Sequence, residues 1–62
     1  MIVKREKLFF KRGYELKPIT EEEAENLEID TQLYAKINKI AYPIRIMNCF
    51  ENAKKFDVWI IK

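Results

Sequence analysis

The sequence predicts a mainly β fold carrying one short acidic helix around residues 20–28. Three observations predict it. Residues 44–61 alternate apolar and polar side chains about a break at Asn52-Ala53-Lys54. Gly13, the only glycine, separates two short alternating segments. Thr20 and Glu23 form a helix-start signature inside an otherwise extended chain. The alternative is an α+β arrangement in which residues 31–41 are helical.

In the opening segment Ile2, Lys4, Glu6, Leu8 and Phe10 fall on one side of a strand, and Val3, Arg5, Lys7 and Phe9 on the other, so neither side is cleanly apolar. Gly13 then supplies the positive backbone angle of a tight turn, and a second strand runs from Tyr14 to Ile19. The helix begins at Thr20. Its hydroxyl and the Glu23 carboxylate can cap each other's backbone N–H groups, with Ile19 and Ala24 as the accompanying apolar staple. Glu21, Glu22 and Glu23 occupy the first turn, where the helix dipole favours negative charge, so the acidic run has a local structural cause. It lacks the spaced oxygen ligands and turn glycine of a calcium loop.

Residues 31–41 fit two periods. As a helix, Leu33, Ile37, Ile40 and Ala41 share a stripe. As a strand, Leu33, Ala35 and Ile37 share a face opposite Tyr34, Lys36 and Asn38. Pro43 and the extended segments around it favour the strand. Residues 44–61 then read as a hairpin with Phe50 opposite Phe56, Asn48 opposite Val58, Ile46 opposite Ile60 and Met47 opposite Trp59, and with Glu51 and Lys55 pairing beside the turn. The apolar run Val58-Trp59-Ile60-Ile61 is the closing strand of the sheet. It needs a paired neighbour, because a free edge rich in Val and Ile invites association with a second copy.

Taken together, Gly13-Tyr14-Glu15-Leu16-Lys17-Pro18 as an early strand, Ala35-Lys36-Ile37 through Ile44-Arg45-Ile46 as a central hairpin, and Phe50 through Trp59 as a last long one resemble the pattern of Src-homology-3-like barrels. That resemblance implies a five-stranded barrel of the kind found in short phage or bacterial proteins, with the acidic helix as an insert. The alanine–leucine–tyrosine motif that builds a proline-peptide groove in signalling members is absent, so the resemblance implies no proline-motif binding.

Length and composition narrow the function. Sixty-two residues form one domain, which buries roughly 60% of the surface of its unfolded chain. The lone Cys49 can form no disulfide within the chain, which points to a reducing, cytoplasmic setting. No apolar stretch follows the N-terminal charges as a signal peptide requires, and none approaches the length of a membrane span. Histidine and serine are absent, which removes the familiar nucleophilic triads, and one glycine cannot build a phosphate loop. Cys49 reads as a small core residue of an alternating strand rather than a nucleophile. The chain is therefore expected to be no enzyme, to hold no metal and to use no cofactor.

The net charge of +2 conceals an uneven distribution. Residues 1–17 carry six basic and two acidic side chains, residues 18–30 six acidic and none basic, and residues 31–62 six basic and two acidic. Such a molecule presents faces of opposite sign. The first functional expectation is a protein-binding module, a small accessory or inhibitor encoded by a phage or mobile element, docking on a larger protein through Phe9, Tyr34, Tyr42 and Trp59. The second is nucleic-acid binding through Lys4, Arg5, Lys7, Lys11 and Arg12 with Phe10 and Tyr14, joined by Lys36 and Arg45. It requires that the acidic stretch lie on the far side. A homodimer through edge strands is the third.

Overall fold

Val3 and Leu8 are both buried, and their odd spacing would send them to opposite faces of an unbroken strand. A computed structural model, describing residues 1–61, shows how the chain resolves the conflict. Strand β1 (Ile2–Lys4) stops after three residues, a single 3₁₀ turn (Arg5–Lys7) shifts the phase, and β2 (Leu8–Arg12) resumes with Leu8 inward. The mixed character of both sides of the opening segment is thus the mark of two strands.

β2 turns into β3 (Glu15–Pro18) through Gly13 and Tyr14. Gly13 has φ +61 and Arg12 pairs with Glu15, the two-residue hairpin turn that favours glycine at its first central position. Helix α1 (Glu21–Glu25) follows and is mainly a capping structure. The Thr20 N–H donates to Glu23 Oε1 at 2.9 Å and the Glu23 N–H donates to Thr20 Oγ1 at 3.1 Å, while Ile19 and Ala24 are buried. The helix is shorter than the expected 20–28. No cation stabilises its last turn, and the Asn26 side chain instead donates to the Glu22 carbonyl at 2.9 Å and closes it.

The first part of residues 31–41 is extended, as the strand reading expects, but the strand ends at Ile37 and Asn38-Lys39 form a turn. β4 (Gln32–Ile37) buries Leu33 and Ala35, and meets β5 (Ile40–Phe50) across a turn in which both Asn38 and Lys39 have positive φ. β6 (Lys55–Ile60) closes the sheet, whose order is β1-β6-β5-β4-β2-β3, antiparallel throughout. The apolar terminal strand is therefore no edge. It lies between β1 and β5, and the edges are the short β1 and the short, charged, Pro18-ended β3.

Two expectations need correction. The β5–β6 pairing is Ile44 with Ile60, Arg45 with Trp59 and Ile46 with Val58, then, past a bulge at Met47, Asn48 with Asp57, Cys49 with Phe56 and Phe50 with Lys55. Phe50 does not face Phe56, nor Met47 Trp59. The expected register put Asn48 opposite Val58 on the inner face, where an unpartnered amide is costly. The observed one gives both inward positions to Ile44 and Ile46 and leaves Asn48 exposed. Glu51 and Lys55 do pair, at 3.7 Å.

The second correction concerns the barrel. The fold is mainly β, but it is one six-stranded sheet that is not closed into a five-stranded barrel. It is nonetheless strongly curled. Three strands separate β1 from β2, a lateral distance of about 19 Å in a flat sheet, whereas the 3₁₀ turn joining them spans only about 6–8 Å. The sheet must bend until its first and fifth strands nearly meet. Val3, Leu8, Leu33, Ile44, Ile46, Phe56 and Val58 fill the hollow side, with Ile19 and Ala24 from the α1 segment packed onto them. No helix among the described residues is long and apolar enough to cross a membrane.

Candidate functional site

With the hollow side assigned to the core and to α1, strand alternation fixes what lies on the outer side. β4 sends Gln32, Tyr34 and Lys36 outward, opposite the buried Leu33 and Ala35. The register aligns Phe9 with Tyr34, Tyr34 with Pro43, Gln32 with Arg45, and Arg45 with Trp59. Four strands distant in sequence therefore contribute to one surface, with Phe9, Tyr34 and Trp59 as rings and Lys11, Lys36 and Arg45 as cations.

Rings and cations are interleaved. Lys36 Nζ stands 5.0 Å from the centroid of the Phe9 ring, and Lys11 Nζ stands 5.9 Å from that of Tyr34. Trp59 is 63% exposed, beside Arg45 on the adjoining strand. Among the described residues, none of Lys11, Lys36 and Arg45 has a carboxylate within ion-pairing distance. Arg45 Nη1 donates at 3.4 Å to the backbone carbonyl of Asp30, which steadies the guanidinium without neutralising it.

The hollow side has the opposite electrostatic character. Arg12 donates to Glu23 at 3.2 Å, and Arg5 Nη2 lies 3.8 Å from Glu21 and 3.5 Å from Glu6. These two arginines, expected to meet a nucleic acid, are committed to carboxylates. Hydrogen bonds from Thr20 and the nearby Arg12 guanidinium hold the Glu23 carboxyl below the usual glutamate range. The α1 acids thus lie on the core side of the sheet, whereas Asp30, the last acid of the stretch, has its backbone carbonyl at Arg45 beside the outer face.

The two expected site lists separate along these lines. Phe9, Tyr34 and Trp59 come together on the outer face with Lys11, Lys36 and Arg45. Tyr42 and Phe10 turn inward and pack partly buried against the core. Tyr14 stands fully exposed on the β2–β3 turn, apart from the other rings. Lys4 and Lys7 lie with Lys36 around a cleft beside the outer face. Gln32 and Pro43 share the surface and were absent from both lists, although Gln32 has the same strand phase as Tyr34.

Among the described residues no group of three or more Cys, Asp or Glu side chains is arranged to hold a metal ion. Cys49 is exposed rather than a core residue. Compared with known protein families, curated proteins and solved structures, the chain matches none.

Proposed function

We propose that this chain is a non-enzymatic binding module whose outer sheet face takes single-stranded nucleic acid. The observation that supports the reading is the separation of charge across the sheet. Lys11, Lys36 and Arg45 interleave with Phe9, Tyr34 and Trp59 on one side, and the acids of α1 lie on the other. A single strand offers bases that stack on rings and phosphates that meet cations, and such surfaces bind with little sequence preference. A duplex hides its base faces and cannot use the rings. The remaining exposed apolar side chains favour this order of readings. Apart from Trp59 these are Met1 and Ile2 at the N-terminus, Tyr14 and Ile29 on separate turns, and Ile40, Met47 and Phe50 spaced along β5, spread over the molecule rather than gathered in the contiguous apolar centre that a protein interface needs.

The test is fluorescence anisotropy with single-stranded and duplex oligonucleotides of about 10 nucleotides, within the site sizes of small barrels and sheets. Micromolar binding of the single strand is expected, with weaker duplex binding. Three cations predict a slope of log K against log salt of about −2. No single-strand binding at low salt removes the reading.

The second reading is docking on a larger protein partner, as an accessory or inhibitor. Trp59, largely exposed beside Arg45, supports it, since Trp and Arg dominate interface hot spots. Absence of oligonucleotide binding, together with a defined complex in cross-linking that Trp59→Ala abolishes, would put the protein partner first.

A further inference from the structure

The incomplete closure of the sheet leaves a seam. β2 pairs with β4 only at Ala35 and Tyr34, so the last residues of β4 extend beyond its cover, and across from them lies the unpaired side of edge strand β1. An open cleft of about 350 Å³ occupies this place. Its apolar wall includes Ile2 and Ile37, and its cations are Lys4 from β1, Lys7 from the 3₁₀ turn and Lys36 from β4. No carboxylate lines it. Asp57, opposite Ile2 on β6, is tied at 2.9 Å to the N-terminal ammonium, and Glu6, next to Lys7 in the 3₁₀ turn, lies 3.5 Å from the Arg5 guanidinium.

Lys36 belongs to two places at once, lining the cleft while standing over the Phe9 ring. The seam is therefore continuous with the outer face. We propose that it takes the phosphate-bearing end of a single strand whose bases stack on that face, an assignment that rests on the nucleic-acid reading above. A terminal phosphate monoester carries close to two negative charges near neutral pH, where an internal phosphodiester carries one. Three lysines without a competing acid suit the doubly charged group. The apolar wall suits the sugar and base edge of a last nucleotide. The cleft volume lies at the low end of small-molecule pockets, which fits one nucleotide and no more.

The experiment compares three oligothymidylates of equal length, one with a 5′-phosphate, one with a 3′-phosphate and one with hydroxyls at both ends, by anisotropy on the wild-type chain, Lys7→Gln and Trp59→Ala. One phosphorylated end is expected to bind about tenfold more tightly than the hydroxyl form, the scale of one added charge-assisted contact. Lys7→Gln should erase that difference and leave hydroxyl-form affinity within about twofold, because Lys7 is exposed on a surface turn and is not one of the cations standing over the outer-face rings. Trp59→Ala should weaken all three alike. Hydroxyl-ended binding that neither phosphate improves, or an end preference that survives Lys7→Gln, overturns the seam assignment and leaves the outer-face reading standing. Failure of all three strands to bind overturns both.

Discussion

The Lys36 ammonium lies 5.0 Å from the centre of the Phe9 ring, reaching from β4 across to β2. The contact exists only because Leu8 pairs with Ala35 and Phe9 with Tyr34, strands that the chain separates by a hairpin and a helix. A cation over a ring also holds that ring's position on the surface. Removing the cation should therefore weaken strand binding in two ways, through one lost phosphate partner and through a less ordered ring. Lys36→Gln is expected to make the salt slope shallower by about 0.7, the share of one phosphate on a single strand. An unchanged slope would mean that Lys36 meets no phosphate.

Trp59 and Phe56 are three residues apart on β6 and face opposite ways, one 63% exposed and the other fully buried. Trp59→Ala should lower oligonucleotide affinity by about 1–3 kcal/mol, the scale of one lost base stack, while thermal melting moves by no more than a few degrees. Phe56→Ala should remove about 3–5 kcal/mol of stability, a large fraction of what so small a domain possesses. Circular dichroism should show it largely unfolded at room temperature. Similar melting losses for both would mean that the strand's inner and outer faces are misassigned.

How far the sequence discloses this fold depends on the range of the interactions involved. The capping of α1 by Thr20 and Glu23, the Gly13 turn and the alternation of β4 follow from near neighbours, and all are legible in the chain. The break between β1 and β2 is visible only as an irregularity, Val3 and Leu8 both needing burial. The β5–β6 register is not legible. The bulge at Met47 is selected by what the whole core accepts at Ile44, Ile46 and Asn48, a sum over four strands. The candidate surface was legible as residue types and not as a constellation. Nothing local aligns Phe9 with Tyr34 or sets Tyr42 inward.

The β4–β5 turn offers a test of backbone strain. Asn38 and Lys39 have φ of 52 and 67, both in the left-handed region. Asparagine is at home there, whereas lysine carries a Cβ that the conformation disfavours. Lys39→Gly should raise stability by about 1 kcal/mol, read as a higher denaturant midpoint with an unchanged slope. The converse applies at Gly13. Space around its Cα is open, so Gly13→Ala meets no clash and loses only the backbone preference, about 1 kcal/mol. A destabilised Lys39→Gly variant would show that the lysine side chain does more than tolerate the turn.

The capping of α1 makes part of the stability depend on pH through a single residue. Hydrogen bonding to Thr20, first through its backbone N–H, and the adjacent Arg12 guanidinium hold the folded Glu23 carboxyl below the usual glutamate range. A group whose folded pKa is depressed contributes in full above its unfolded value, and that contribution is lost as pH falls through the folded one. The capping box should therefore be intact near neutral pH and weaken in acid. Glu23→Gln retains an oxygen that can accept from the Thr20 N–H but carries no charge. It should melt below the wild type near pH 7 and converge with it as pH drops beneath the glutamate range. Because the other acidic groups titrate in both proteins, the difference between the two melting curves across pH isolates Glu23. A constant gap at every pH would show that the carboxylate's charge takes no part in holding the helix start.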